Sequence, residues 1–365
     1  MAFFISTKKQ ITSKDTIDSV VFKTINFNNR KIPTDKKRIV LICCFSEFGC
    51  ETIGSLYCIP RVLKAFPGRY FIVAGWYGRD YLYKHLVDCF WEIDEKYMYL
   101  RQHCKAFHHT SYDLSKIEMH LKSKAGLCID SCLLGNYVVA NICYTCGASW
   151  SKKDTVCPVC KSTYIQKSIF NNIEESKNKV VPIPKPSQEK LDWAKNFIKP
   201  NTIGVIARNR STYGRNLDIN FYLKLISLLK NKGYNIVWLG EKETTHACPD
   251  NSIVDFSRME GSRDLEKTFA IICNVKLTIQ LWTASSRLSG IMGVPYLIVE
   301  SPDQIFDLHE GYRLELSTFG DRKILLSDFL AFKNNEDVGL NYIGRCIDEM
   351  EQGNFNTVTG LIDGQ

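Results

Sequence analysis

The stretch that most constrains this chain runs from Lys276 to Glu300, KLTIQLWTASSRLSGIMGVPYLIVE. It opens on Leu277 to Leu281, a β-leaning apolar run of strand length, followed by the small hydroxyl-rich segment Thr283, Ala284, Ser285, Ser286. Arg287 to Met292 reads as a helix, which Gly293 and Pro295 stop before a second apolar strand, Tyr296 to Val299. Strand, turn, helix, strand is the βαβ unit of an open parallel sheet. Such sheets bind ligands at the carboxyl ends of their strands, where helix N-terminal N–H groups face an anion. Two readings of Thr283 to Ser286 stand at this point: helix capping alone, or a phosphate or sugar site.

The rest of the chain repeats the α/β alternation. Residues 1–36 read as a polar arm with one early strand at Ser19 to Phe22. Arg38 to Phe45 and Tyr70 to Ala74 read as buried parallel strands, separated by the glycine-bearing loop SEFGCETIGS and a helix from Ile53 to Ala65. GWYGRD then leads into an expected helix over YLYKHLVDCFWEI. After the proline-bearing linker VVPIPKPSQE come a helix from Gln188 to Phe197 and a strand, Thr202 to Ala207. An amphipathic helix, Asp218 to Asn231, follows, then strands at Asn235 to Leu239 and Ile253 to Phe256. A helix from Asp264 to Cys273 precedes the opening stretch, and a final helix spans about Leu340 to Glu351. The expected fold class is α/β, with two Rossmann-like doubly wound domains and a small insertion. The expected division is an arm at 1–36, a first domain at 37–190 and a second at 191–365.

The insertion carries the sharpest local motif, Cys143-x-x-Cys146 followed by Cys157-x-x-Cys160 across a ten-residue spacer. Four thiolates at this spacing suit a closed tetrahedral zinc site on a β-ribbon, expected at 141–165, with a structural role. Fifteen cysteines, an odd number, mostly inside apolar runs such as Cys43, Cys44, Cys58 and Cys273, are the usage of a reducing compartment. With no membrane-spanning apolar run and no recognisable leader, the expected location is the cytoplasm. A net charge of +8 and a pI near 8.7 favour anionic partners: nucleotides, nucleic acid or an acidic membrane surface.

Basic residues Arg208, Arg210 and Arg215 follow the strand TIGVIA, where guanidinium groups can grip a diphosphate or simply stand in water. Gly240-Glu241 after NIVWL and Glu300 after YLIV place carboxylates at strand ends, suited to ribose or sugar hydroxyls.

These residues resemble the nucleotide-sugar-binding domain of GT-B glycosyltransferases, most closely the heptosyltransferase-like group, glycosyltransferase family 9. The group has a basic residue ahead of a helix entered through W-P-x-E-x-F. Here Tyr213-Gly214-Arg215-Asn216 precedes Asp218 to Phe221. It then has a strand ending in glycine and carboxylate, as in Trp238-Leu239-Gly240-Glu241. Its Gly-x-Pro is matched by Gly293-Val294-Pro295. Counting back, Arg287-Leu288-Ser289 falls on the His-Leu-Ala positions and Trp282-Thr283-Ala284 on the aspartate triplet. Spacing agrees over about residues 200 to 300, while Trp282 and Arg287 replace the family's aspartate and histidine, leaving the donor sugar open. The resemblance implies a metal-independent, inverting transfer from a nucleotide sugar to an acceptor hydroxyl. Its donor-binding set would be Arg208, Arg210, Arg215, Gly240, Glu241, Trp282, Thr283, Ala284, Ser285, Ser286, Arg287 and Glu300. It also implies a general base in the first glycine-bearing loop, Glu51 first and Glu47 second, because a sugar hydroxyl is a weak nucleophile until its proton is taken. Glu51 as a helix-dipole acid, and His85, His103, His108 or His109 as the base, stand as alternatives. A non-catalytic zinc-ribbon protein holding nucleic acid is the rival reading, and a transferase acting on nucleic-acid bases a third. Arginines gathered in an interdomain cleft would separate the transferase from its rival.

Overall fold

The computed structural model describes residues 22–45, 56–105, 108–109, 117, 120–121, 123–130, 141–143, 149–150, 156, 161, 165–167, 184–210, 216–281, 288–290, 292–299, 324–326 and 336–353. Hydrophobic runs without alternation build its two larger sheets, as expected of strands covered on both faces. In the N-terminal half, β1 (Phe22–Asn26), β2 (Ile39–Cys44), β3 (Tyr70–Gly75) and β4 (Cys89–Ile93) form one sheet with β7 (Leu127–Asp130). Its order is β1-β4-β3-β2-β7, parallel throughout except for β1, which pairs antiparallel with β4. β1 therefore lies within the segment expected to be an arm. Every residue of β2 and β3 is buried. Helix α1 (Leu56–Ala65) connects these two strands.

The helix expected over YLYKHLVDCFWEI is not present. A short 3-10 turn, Asp80–Leu82, is followed by the strand β4. Cys89-Phe90-Trp91-Glu92-Ile93 pairs on both sides, with Ile72↔Cys89 on β3 and Phe22↔Ile93 on β1. Two ladders of hydrogen bonds outweigh whatever local helical preference the run has.

Between the halves, β5 (Cys104–Lys105) and β6 (His108–His109) make a two-stranded piece. β8 (Asn141–Cys143), β9 (Ser149–Trp150) and β10 (Ile165–Lys167) form an antiparallel sheet of order β10-β8-β9. These short strands fall within and beside the stretch 141–165, and β8 ends on Cys143. Cys146, Cys157 and Cys160 lie outside the described residues. Among the described residues no cluster of His, Cys, Asp or Glu is assembled to hold a metal. Cys43, Cys44, Cys89, Cys128 and Cys346 are buried, with the Cys43 and Cys128 sulfurs 3.6 Å apart.

The C-terminal half follows the expected alternation closely. Helix α2 (Gln188–Phe197) leads into β11 (Thr202–Ile206), α3 (Ile219–Asn231), β12 (Asn235–Leu239) and β13 (Val254–Asp255). Then come α4 (Leu265–Asn274), β14 (Leu277–Leu281), β15 (Tyr296–Val299), β16 (Ile324–Leu326) and α5 (Glu336–Glu351). Asp218 and Asp264 cap α3 and α4, accepting from the N–H groups of Asn220 and Lys267. The all-parallel sheet has the order β13-β12-β11-β14-β15-β16. Numbered from β11, that is 3-2-1-4-5-6, and the direction of winding reverses between β11 and β14.

Three apolar clusters hold these layers. One lies between the β11–β14 sheet and helices α3 and α5, and one covers the outer face of the N-terminal sheet. The third joins the halves, running from Val40, Ile42 and Phe90 to Val237, Leu239 and Phe269. Tyr81 meets Phe269 of α4 at 5.7 Å between ring centroids, and the Tyr81 hydroxyl donates to the Pro184 carbonyl. Phe269 is fully buried, so Phe269→Ala is expected to lower the unfolding free energy by about 3–5 kcal/mol in urea denaturation, while Leu223→Ala on the exposed face of α3 changes it by less than ~0.5 kcal/mol. Equal losses from both would contradict a core shared by the two halves.

Candidate functional site

The reversal of winding between β11 and β14 opens a crevice at the carboxyl ends of these two strands. Arg208 and Arg210 stand directly beyond β11. The segment Trp282 to Arg287 follows β14 and lies outside the described residues, as do Arg215, Glu300, Glu47 and Glu51. The loop after β12 is tied to the loop after β11. Thr245 bridges Arg208, the Asn209 N–H donates to the Thr244 carbonyl (2.7 Å), and the His246 N–H donates to the Ala207 carbonyl (2.8 Å). Gly240 starts that loop at φ +127°, and a Cβ there would collide with the Thr245 hydroxyl. Only glycine lets the chain turn so sharply against its neighbour. The turn delivers the next residue, Glu241, to the mouth of the crevice.

Glu241 does not stand alone there. Its Oε1 is held by Arg79, and its Oε2 by the Arg101 Nη2 at 3.0 Å. Both arginines come from the N-terminal half. Arg79 follows β3, and Arg101 lies in the 3-10 helix Glu95–His103 that follows β4. Their side chains are 4% and 7% exposed, and that of Glu241 is 25% exposed. Burial alone would raise the Glu241 pKa. Arg101, Arg79, Arg210 and Arg263 together outweigh that effect and hold it below the usual carboxylate range.

Each arginine is positioned by a distinct local device. Arg79 leaves a turn in which Gly78, at φ +76°, donates its N–H to the buried Glu92 carboxylate at 2.9 Å. The Arg101 guanidinium lies over the Trp76 ring, 5.4 Å from its centroid, and Trp76 is in turn packed edge-on by Phe45. Arg263, just before α4, bridges Glu95 (2.9 Å) and Glu243 (2.6 Å). Asn216 clamps the β11 loop by accepting from the Arg210 N–H (2.9 Å) and donating to its carbonyl (2.7 Å). The Arg210 Nη2 reaches the Arg101 carbonyl at 3.4 Å. Four guanidinium groups and three carboxylates, from both halves, thus meet where the carboxyl ends of the two sheets face each other.

Arg208 has a different setting. It is 7% exposed, and its Nη1 donates to the Asn216 carboxamide at 2.8 Å beside the buried Tyr222. Among the described residues, the Tyr222 hydroxyl and the His246 Nε2 are buried without hydrogen-bond partners, and burial is the main cause of the lowered His246 pKa. Position after a strand singles out Arg208, Arg210, Gly240 and Glu241 in the sequence, whereas Arg79, Arg101, Arg263 and Glu243 join this cluster only in the folded chain. Arg79 was accessible by the rule that selected Arg208, a basic residue after a buried strand. Arg101 was not, because its segment carries no strand signal before it that a sequence reading separates from a helix.

Glu241 binds its arginines as a carboxylate, so its folded pKa lies below the unfolded value. The stability it contributes is present at and above the unfolded value, near pH 4.3, and is lost as pH falls through the folded pKa. Glu241→Gln is expected to lower the stability by about 2–3 kcal/mol at pH 7, with the difference narrowing as the pH falls below the unfolded value toward the folded pKa. Urea midpoints measured from pH 7 to 3 check this. A difference that persists unchanged into acid would show that the carboxylate charge is not what the arginines hold.

No family model matches the chain, and no curated protein matches it. Among solved structures, a glycosyl transferase family 9 protein from Veillonella parvula is similar at 12% identity and a TM-score of 0.48, covering 89% of this chain and 99% of the other. The E. coli ADP-heptose LPS heptosyltransferase II is similar at 10% identity and a TM-score of 0.49, covering 86% of this chain and 99% of the other. The wall teichoic acid polymerase TagF is similar at 12% identity and a TM-score of 0.34.

Proposed function

We propose that this chain is a glycosyltransferase that moves a sugar from a nucleotide-sugar donor to an acceptor hydroxyl. The observation that carries the reading is the gathering of Arg79, Arg101, Arg210 and Arg263 beside the winding reversal of a 3-2-1-4-5-6 parallel sheet. That crevice is where open α/β sheets take phosphorylated ligands. Guanidinium groups from two facing sheets are the chemistry that meets the charge of a departing diphosphate.

In this reading the diphosphate lies against Arg210, Arg215 and the N–H groups of Thr283 to Ser286, while Arg208, held on Asn216, braces the strand end beneath them. Glu241 and Glu300 accept from ribose or sugar hydroxyls. Although Arg79 and Arg101 engage one oxygen each, a carboxylate offers about four lone-pair sites and keeps capacity for a hydroxyl donor. Glu51, or Glu47 in its place, takes the acceptor hydroxyl proton as that oxygen bonds to the anomeric carbon. The bond from that carbon to the diphosphate oxygen breaks in the same displacement, which inverts the anomeric centre. Trp282 and Arg287 would set the donor sugar.

The test is a thermal-shift panel of UDP, GDP, ADP, CMP and dTDP, with and without their sugars, on the wild type, Arg210→Ala and Arg215→Ala. One nucleotide at a hundredfold excess over its dissociation constant is expected to add about 2.7 kcal/mol of stability, a shift of a few degrees. Both variants are expected to lose it. If no nucleotide shifts the melting while short DNA or RNA does, the transferase reading fails and the nucleic-acid reading takes its place.

The four-cysteine motif belongs to the same proposal as a structural zinc site on Cys143, Cys146, Cys157 and Cys160. The spacing supports it, and so does the antiparallel β10-β8-β9 sheet, whose central strand ends on Cys143. Metal analysis of the purified chain is expected to give about one zinc per molecule, lost in Cys157→Ser together with protease resistance of the segment. Zinc-free protein that is unchanged by added zinc or chelator would remove the site.

A further inference from the structure

The amino ends of the N-terminal sheet form a second charged surface, on the opposite side of that sheet from the arginines of the cleft. β2, β3 and β7 begin in step, with Ile39↔Tyr70 and Val40↔Leu127 in register, so the loops that enter them stand side by side. These loops are tied together. The Gly126 N–H donates to the Lys36 carbonyl (2.7 Å), and the Lys36 ammonium to the Ser123 carbonyl (2.9 Å). The Arg69 guanidinium donates to the Lys37 carbonyl, and the Arg30 Nη2 to the Arg69 carbonyl at 3.3 Å. A Cβ on Gly126 would stand 2.6 Å from the Lys36 carbonyl oxygen, so closely do the two loops approach.

The product is a continuous basic rim. Arg30, Lys36 and Arg69 knit it, and the exposed Lys31, Lys37, Arg38 and Lys124 add four more cations. Among the described residues, opposing acids are few. Asp35 caps the 3-10 turn by accepting from the Lys37 N–H, and Asp88, with 8% of its side chain exposed, takes Arg30 from below. Against a whole-chain charge of +8, this one edge concentrates much of the surplus.

We propose that this rim docks the protein on an anionic phospholipid surface. Lysine and arginine on closely tied loops are the chemistry that acidic headgroups attract. Ile32 projects among them, 36% exposed between Lys31 and Pro33, an apolar side chain suited to the headgroup boundary. Nucleic acid is the lesser fit. Residues 28–38, 67–69 and 123–126 contain no aromatic side chain to stack a base, and the neighbouring Tyr70 ring is buried beneath Arg30 at 5.4 Å. Among the described residues no helix is long and apolar enough to cross a membrane, so the contact proposed is peripheral. The inference does not depend on the transferase reading.

The test is co-sedimentation of the full chain with phosphatidylcholine vesicles, with and without phosphatidylglycerol, across a salt series. Wild type is expected to bind only the anionic vesicles, and to release them as salt rises from ~0.1 to ~0.5 M, where charges are screened. Lys31→Glu/Lys37→Glu/Arg38→Glu/Lys124→Glu is expected to bind them at least about tenfold more weakly, with an unchanged melting temperature because all four side chains are exposed. Ile32→Ser is expected to weaken binding while leaving its salt dependence in place. The proposal is overturned if wild type ignores the anionic vesicles, or if the fourfold variant binds them as well as wild type. It is also overturned if the rim charges govern binding of DNA or RNA oligonucleotides and not of vesicles.

Discussion

The carboxylate of Glu241, gripped from across the molecule by Arg79 and Arg101, is the interaction on which the geometry of the cleft depends. A buried ion pair is a poor source of net stability, because removing both charges from water costs nearly what their attraction returns. It is a strong source of specificity, because the arrangement is tolerable only when every charge has its partner. The halves are drawn together by apolar packing, Tyr81 on Phe269 and the cluster around them, and the ionic network fixes the alignment at which they meet. Glycine turns make that alignment attainable. Gly240 directs Glu241 outward, and Gly78, held by Glu92, directs Arg79 toward it.

The same network has chemical consequences. Holding Glu241 ionised within four guanidinium groups leaves the crevice rich in hydrogen-bond donors of fixed direction. Preorganised donors are worth more than mobile ones when negative charge develops, because they need not reorient as it forms. Arg208, turned inward onto Asn216, braces the strand end, while Arg210 reaches across to the other half. Two arginines two residues apart thus do different work.

The two ends of the N-terminal sheet also differ in kind. At its carboxyl end, cations are matched by the carboxylates of Glu241, Glu243 and Glu95. At its amino end they are exposed and scarcely matched. The parallel strands β2, β3, β4 and β7 enforce this separation, since the loops entering them lie on one side and the loops leaving them on the other, and antiparallel β1 runs out onto the entering side. Net charge alone does not distinguish the two ends.

By itself the sequence determined the α/β class and most of the described elements of the C-terminal half, though not β16. Asn235–Leu239, Leu277–Leu281, Tyr296–Val299 and Gln188–Phe197 fall where their apolar runs and stop signals put them. Buried parallel strands are written as continuous hydrophobic stretches, so they are legible locally. The sequence also placed Arg208, Arg210, Gly240 and Glu241 at strand ends, since position relative to a strand is a local property. Tertiary structure decided the rest. Cys89–Ile93 became a strand because partners on both sides offered ladders, which no window of the sequence contains. The pairing of Glu241 with Arg79 and Arg101 joins residues more than a hundred positions apart, and it exists only because two sheets turn their carboxyl ends toward each other. Local pattern fixes which segments become strands and where charges sit along them; only packing decides which charges meet.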